Sequence, residues 1–212
     1  PSYNYSNIKN LTTVVIENGA TSIPDRAFYY CYSLIEVCNK SSLNVTVDSV
    51  NYGSVGSYAK HIITDESQSA LKYVGDYVFF DDGNEVYLVK YIGNDTEIAL
   101  PEYEGGKEYG IWKYAFYDCS SLTSIIIPDS VTSIGYCAFY SCTSLKYNVY
   151  DNANYLGNED NPYVVLISVT DKSIANCVIH IDTKIIGYSA FYDCSSLTNV
   201  TIGNSVTSIH TY

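Results

Sequence analysis

No apolar run in this 212-residue sequence comes near the roughly 20 residues needed to cross a bilayer; the longest, such as Ser124 to Pro128 and Tyr163 to Ile167, are of strand length. Basic residues are few and scattered, 11 against 23 acidic for a formal net charge of −12. Phosphate backbones require clustered Lys and Arg, so a nucleic-acid partner is excluded. No C-x-x-C pair occurs, and the three histidines His61, His180 and His210 sit in no metal or nucleophile motif, which leaves no expected metal site. The glycines of EYEGGKEYG at 102–110 lack the order of a phosphate loop and are not followed by a helix, so they read as a turn. Paired carboxylates cannot be singled out among so many surface acids. With no nucleophile, metal or nucleotide constellation, neither enzyme activity nor a cofactor is expected. Methionine is absent, and the sequence opens inside a repeat at Pro1-Ser2-Tyr3 rather than on a charged and then apolar leader, which fits a chain from which a signal peptide or anchor has been cut away.

What is present is repetition. Ala-Phe-Tyr occurs four times, at 27–29, 115–117, 138–140 and 190–192. Ala115, Cys119 and Leu122 recur 23 residues later as Ala138, Cys142 and Leu145, a period within the leucine-rich-repeat range. Overlaying the copies aligns Leu11, Leu122 and Leu197 in one column, Val14, Ile125 and Val200 in a second, and Ile16, Ile127 and Ile202 in a third. In L-x-x-I-x-I the last two apolar residues are two apart and face one side of a strand. Pro128 ends that strand, Val131 and Ile134 turn inward on the return path, and Ala138, Phe139 and Cys142 complete the coil. One coil cannot close a core alone. Stacking coils about 4.8 Å apart pairs each backbone with the next and buries Phe over Phe and Leu over Leu. A composition of 47% hydrophobic residues supplies such a core, and one array is expected over residues 1–212.

The regular phrase covers about 11–38, 115–147 and 190–212, with longer irregular repeats at about 39–114 and 148–189. In the first of these, Asn39 takes the position held by Ile127 in the regular copy, and a polar group there needs a partner or must leave the core. Tyr77 to Phe80 and Val86 to Val89 then flank Asp81-Asp82-Gly83-Asn84, which predicts a hairpin. Residues 53–76 read as loop or irregular strand. The second irregular repeat echoes the order of parts, with Tyr155-Leu156, Asn158 to Asn161, and Tyr163 to Ile167. Each is read as a longer coil carrying a β-hairpin. Both ends of the chain fall inside a repeat without a polar cap, so a piece of a longer array is expected.

At 115–145 the phrase AFYDCSSLTSIIIPDSVTSIGYCAFYSCTSL resembles the BspA-type leucine-rich repeats, whose pattern runs L-x-x-I-x-I-P-x-S-V-x-x-I-G-x-x-A-F-x-x-C. The resemblance is strong also at 11–34 and 190–212. It implies a right-handed solenoid of α/β type dominated by β, with short parallel strands, short helical or irregular return segments and two β-hairpin insertions. It further implies a secreted or cell-surface protein, typically bacterial and sometimes protist, in a family associated with adhesion to host matrix proteins or cells.

Of the seven cysteines, Cys31, Cys119, Cys142 and Cys194 share one repeat position and read as packing residues, while Cys38, Cys137 and Cys177 lie outside it. Sequons stand at Asn4, Asn10, Asn39, Asn44, Asn94 and Asn199 and matter only where the source glycosylates. Asp81 to Glu85 and its echo at Asn158 to Asn161 have oxygens enough for Ca²⁺, but without the full loop pattern they read as solvated turns. The residues expected to meet a partner are the tyrosines after each Ala-Phe, namely Tyr29, Tyr117, Tyr140 and Tyr192, reinforced by Tyr114, Tyr136 and Tyr188. Tyrosine gives large contact area at low entropy cost; shielding of the Phe column is the alternative. A second candidate is the outward face of the strands, at Val15, Ile126 and Thr201. The expected partner is an extracellular protein or glycan. End-to-end self-association through open strand edges is the competing, structural reading.

Overall fold

A computed structural model describes residues 8 and 10–210 of the chain. Strands dominate it. The helical content is a four-residue turn, Asn51–Ser54, broken by left-handed Tyr52 and Gly53, and a 3₁₀ turn at Glu66–Gln68 closed by the Asp65/Gln68 capping box. The return segments are therefore turns and strands rather than helices.

Strands β1 (Thr13–Ile16), β2 (Glu36–Asn39) and β3 (His61–Ile63) form a parallel ladder. Val14 pairs Val37 and Ile16 pairs Asn39, the 23-residue register of the repeat. Asn39 finds its partners in its own turn: its Nδ2 donates to the Leu43 carbonyl at 2.7 Å, and its Oδ1 accepts from the Ser41 amide and hydroxyl. β4 (Leu71–Val74), β5 (Tyr77–Asp81) and β6 (Val86–Tyr91) are successive antiparallel neighbours. The expected hairpin is thus present with a third strand, β4, drawn from the stretch read as irregular.

β7 (Glu97–Ala99) runs parallel to β9 (Ser124–Ile126), while β8 (Tyr109–Ile111) lies between β6 and β10 (Val131–Ile134). The regular coils at 115–147 and 190–212 therefore each carry two strands, one from L-x-x-I-x-I and one from V-x-x-I, whereas in the first coil the corresponding segment around Ile23 forms no strand. β11 (Asn148–Tyr150), β12 (Ala153–Leu156) and β13 (Val165–Val169) repeat the antiparallel arrangement of β4–β6. β14 (Asn176–Val178) pairs β16 (Asn199–Thr201), and β13 continues in parallel through β15 (Ile185–Ile186) to β17 (Ser208–Ile209). The outcome is a β-solenoid of stacked parallel coils whose two long repeats each hold a three-stranded antiparallel meander. In both, the third strand rejoins the parallel stack.

Leu122, Ile125, Ile127, Val131 and Ile134 are buried with Ala115 and Phe116 in the central core. Phe116 lies between Phe139 at 5.2 Å and Tyr91 at 5.8 Å, near-parallel to both rings. Separate apolar clusters fill the first coils and the last, and Ile35, Ala70, Val78, Phe80 and Val89 join the β1–β3 ladder to the central sheet. Tyrosine also serves as core: Tyr91, Tyr103, Tyr109 and Tyr155 are almost wholly buried. The Tyr103 hydroxyl donates to Asp81 at 3.0 Å and that of Tyr109 to the Pro101 carbonyl at 2.8 Å, so neither hydroxyl is left unmatched.

The Ala-Phe-Tyr turns follow one backbone rule. Two left-handed residues bracket each turn, Arg26/Tyr30, Tyr114/Asp118, Cys137/Ser141 and Ser189/Asp193, with φ from 50° to 64°. None is glycine, so each position carries a steric cost. In the central coils the geometry turns alternate amides toward the next coil: the N–H groups of Tyr114, Phe116 and Asp118 donate to the carbonyls of Tyr136, Ala138 and Tyr140 at 2.8–3.1 Å. The stack thus pairs its turns as well as its strands. Gly135 has a related role. Its amide donates to the Ile111 carbonyl at 2.8 Å, and a Cβ there would sit 2.6 Å from the Lys113 nitrogen, which explains the Ile-Gly of the phrase.

Candidate functional site

Stacking the turns places successive tyrosines over one another. Tyr117 and Tyr140 lie 6.0 Å apart with rings only 3° from parallel. Tyr32, which the sequence pattern did not single out, is the hub: it packs on Tyr114 at 4.4 Å, Tyr117 at 4.8 Å, Tyr58 at 4.9 Å and Tyr30 at 5.8 Å. Tyr29 joins through Tyr30 at 4.1 Å, and Tyr114 leads on through Tyr136 to Tyr188 at 5.6 and 5.1 Å. One continuous aromatic face thus runs from Tyr29 through the central coils.

The face is exposed at its rim and half-buried at its hub. Tyr30 and Tyr140 are 60% and 57% exposed, and Tyr29 and Tyr136 are each 40% exposed; Tyr192, expected in the same row, is 60% exposed but is joined to the face by none of these ring contacts. Burial pushes the hydroxyls of Tyr32 and Tyr114 well above the usual tyrosine range, with neighbouring tyrosines adding to the effect, and raises that of Tyr58 against a hydrogen bond with Tyr32 that lowers it. A phenol is neutral at pH 7 even at its ordinary pKa of about 10, so the hub keeps its O–H donors. A cation flanks the face at one end, where the Arg26 guanidinium lies 5.9 Å from the Tyr29 ring centre; the Tyr192 ring, outside those contacts, has the Lys172 ammonium 5.2 Å from its centre. Because the Tyr117 and Tyr140 rings are parallel and stacked, they turn their flat faces to each other.

The signal that would have found the hub is Cys31-Tyr32-Ser33-Leu34 itself. Tyr32 replaces the first serine of C-S-S-L, and a large ring at that small-residue position reaches over the neighbouring turn.

Val15, Ile126 and Thr201 all point outward, with Val15 and Ile126 exposed by 39% and 38%. They do not share one sheet. Val15 belongs to the β1–β3 ladder, Ile126 to β7–β9 and Thr201 to β14–β16. The meanders and long turns between those ladders interrupt the expected single face.

The acidic turn of the first meander spends its carboxylates on itself. Asp81 accepts from the Gly83 amide, and Asp82 from those of Asn84 and Glu85 at 2.9 and 3.0 Å. Burial alone would raise the Asp81 carboxyl, but the Gly83 amide, the Tyr103 hydroxyl and Lys107 outweigh it and hold it below the usual carboxylate range. In the second meander Asn158 does the same work with a neutral amide, accepting from the Asp160 and Asn161 amides. Among the described residues no three His, Cys, Asp or Glu side chains gather as a metal site would require.

All seven cysteines are free thiols. Cys31 and Cys142 are buried and Cys119 and Cys194 only partly so, and the Cys142 thiol donates to the Phe116 carbonyl at 3.1 Å. Cys38 and Cys177, outside the repeat column, are as buried as any in it. Of the sequons, Asn10, Asn44, Asn94 and Asn199 are exposed and Asn39 is engaged in its turn, while Asn4 lies outside the described residues.

Two polar clusters escaped the sequence reading because their members are distant in the chain. Buried Glu36 accepts from the Ser69 hydroxyl at 2.6 Å and the Ala70 amide at 3.1 Å, with His61 Nδ1 at 3.2 Å. Lys60, one residue before β3, reaches a group of aromatic rings on the central sheet.

No helix among the described residues is long and apolar enough to cross a membrane. Among solved structures the chain is similar to a leucine-rich repeat protein of T. pallidum, at 25% identity over 69% of this chain and 63% of that one, with a TM-score of 0.37. It is also similar to a leucine-rich cell surface protein of Faecalibacterium prausnitzii, at 19% identity over 90% of this chain and 59% of that one, with a TM-score of 0.41. A third similarity, to a leucine-rich repeat protein of Bacteroides capillosus, has 21% identity over 68% of this chain and 99% of that one, with a TM-score of 0.34. The chain thus spans less than two thirds of the first two of these proteins. No curated protein matches it. The family model of the BspA type leucine-rich repeat region matches in six copies, over residues 1–94, 109–159 and 168–212. With its 23-residue register, its stacked parallel coils and that match over most of its length, the chain belongs to the BspA type leucine-rich repeat family.

Proposed function

We propose that this chain is a non-enzymatic binding module of a secreted or cell-surface protein and that it takes an extracellular protein on its tyrosine face. The observation that carries this reading is the continuous aromatic face, with Tyr30 and Tyr140 exposed beyond half of their surface. A stacked ring offers a partner its edge and its hydroxyl. Sugars stack on open ring faces, whereas peptide groups and apolar side chains meet ring edges and phenol donors, so the geometry favours a protein over a glycan. A role in host adhesion would be one use of such a module.

The test is a binding screen of the fragment against extracellular-matrix proteins, mucins and glycans, with Tyr117→Ala/Tyr140→Ala alongside. A protein ligand whose affinity drops about tenfold or more in the variant supports the reading, in line with buried aromatic anchors dominating interfaces. Binding that survives the double substitution unchanged, or hits confined to glycans, would contradict it.

A second reading rests on a different observation. In the last coil Val200, Ile202 and Ile209 are 37%, 46% and 54% exposed around a hollow of about 520 Å³ lined also by Ile186 and Phe191. Apolar side chains beside strand edges that no strand among the described residues pairs favour end-to-end association of this chain, and the module would then act as a spacer or assembling element. Concentration-dependent growth in light scattering supports this reading, and a monomer at all concentrations counts against it.

A further inference from the structure

Lys60 connects two parts of the solenoid. Its amide donates to the Ile35 carbonyl at 2.7 Å, in the N-terminal ladder, yet its side chain crosses to the central sheet and is only 9% exposed. There the ammonium lies 4.4 Å from the ring centre of Trp112, 4.5 Å from that of Tyr87 and 4.9 Å from that of Phe80. The Tyr87 and Trp112 rings meet edge to face at 4.9 Å, and the Trp112 indole nitrogen is buried without an acceptor, so ring contacts rather than a hydrogen bond hold that wall. Glu85, half exposed, closes the group as an ion-pair partner of Lys60.

Three aromatic faces and one carboxylate converging on a cation form an aromatic cage. Its chemistry does not match its occupant well. A primary ammonium has three N–H donors, and Glu85 is the one hydrogen-bond acceptor that Lys60 meets among the described residues. A methylated ammonium has fewer donors or none, sheds its hydration more easily and presents C–H groups to the rings, which is the use to which aromatic cages are put.

We propose that Phe80, Tyr87, Trp112 and Glu85 form a binding site for methylated ammonium groups, of the kind carried by choline or trimethyllysine, and that Lys60 occupies it in cis as a tethered plug. With the plug seated, the N-terminal ladder is clasped to the central sheet. A methylated ammonium displaces the plug against the tether's effective concentration, so the intact protein binds weakly and removal of the lysine side chain exposes the full affinity.

Trp112 is the one tryptophan in the chain and reports on the site directly. Its fluorescence is followed during titration of the full 212-residue chain with tetramethylammonium chloride, against sodium chloride at equal ionic strength, then with choline and with Nε-trimethyllysine. Lys60→Ala is expected to respond at concentrations at least about tenfold lower than the parent, and Tyr87→Leu in that background to lose most of the gain. The stronger of choline and trimethyllysine identifies a headgroup or a modified side chain as the source. A cooperatively melting Lys60→Ala variant that responds no differently to tetramethylammonium than to sodium, or parent and variant with equal midpoints, would overturn the site. A second measurement needs no change to the cage. Reductive ¹³C-dimethylation of the parent should give several ring-shifted lysine methyl resonances, since Lys107, Lys113 and Lys172 also lie over rings, with the one displaced furthest upfield missing in Lys60→Arg; a spectrum from which Lys60→Arg removes no displaced resonance overturns the cage as well.

Discussion

The octapeptide Ala-Phe-Tyr-Asp-Cys-Ser-Ser-Leu occurs twice, at 115–122 and at 190–197, with no difference in sequence. At the first site Ala115 and Phe116 are fully buried and Leu122 is 1% exposed. At the second Ala190 remains buried, but Phe191 and Leu197 are only half-buried and Tyr192 is 60% exposed. The intrinsic conformation is the same in both, since Tyr114/Asp118 and Ser189/Asp193 take the same left-handed geometry at φ 62–64°. What differs is the neighbour. The coil at 131–145 covers the first copy, and no coil among the described residues covers the second. A repeat phrase therefore specifies its own turn, while stacking decides whether its side chains become core or surface.

Phe116→Ala against Phe191→Ala is the widest contrast. Loss of a fully buried ring between Phe139 and Tyr91 should cost about 3–5 kcal/mol, whereas the half-buried ring should cost about 1 kcal/mol. Denaturant unfolding of the two variants measures both, and equal losses would break the comparison. Glycine sharpens it: Gly135→Ala forces a methyl onto the Lys113 backbone and should cost about 2 kcal/mol or more. At Gly187 the nearest atom to an added Cβ is the Leu166 carbonyl oxygen at 3.0 Å and the next lies 3.9 Å away, so Gly187→Ala should cost less in the same assay.

The two meanders give a pH contrast. Asp81 in the first is held below its ordinary pKa in the folded state, so its contribution is present above the unfolded value and is lost as pH falls through the folded one. Asn158 in the second does not titrate. Thermal melts from pH 6 down to about pH 2 should show a loss that Asp81→Asn removes in part and that Asn158→Ala leaves in place. The smallest contrast is in thiol chemistry. A hydrogen bond with Cys119 and burial push the Cys142 thiol far up, while Cys194 is raised by burial but is more open. Under native conditions iodoacetamide should label Cys194 well before Cys142, as read by peptide mass spectrometry.

Much of this was legible because period and polarity set it. The 23-residue register, the inward Leu122, Ile125 and Ile127, the strand end at Pro128 and the turn at Asp81 to Asn84 follow from spacing and turn chemistry alone. Other features follow from packing between coils. The V-x-x-I segment looks like an irregular return until β10 is seen to pair with β8 and β17 with β15, because a two-residue apolar signal is too short to declare a strand. β4 has one partly buried residue, Leu71, so no alternation marks it. The paired left-handed residues were hidden because Arg, Tyr, Cys, Ser and Asp hold positions where glycine would have announced them. Tyr32 and Lys60 draw their importance from rings about 80 and 50 residues away, a distance that no local pattern spans. The tyrosines after Ala-Phe could be named in advance, and the buried Tyr103, Tyr109 and Tyr155 could not, because the residue type is the same and only the cover differs.

Amide hydrogen exchange on the two identical octapeptides tests the stacking account most directly. The amides of Phe116 and Asp118 donate to Ala138 and Tyr140 of the next coil, at 2.8 and 3.0 Å, and should exchange only with global unfolding. Those of Phe191 and Asp193, with the same flanking residues and no covering coil among the described residues, should exchange orders of magnitude faster. Equal protection of the two copies would contradict the claim that stacking, rather than the phrase itself, makes the core.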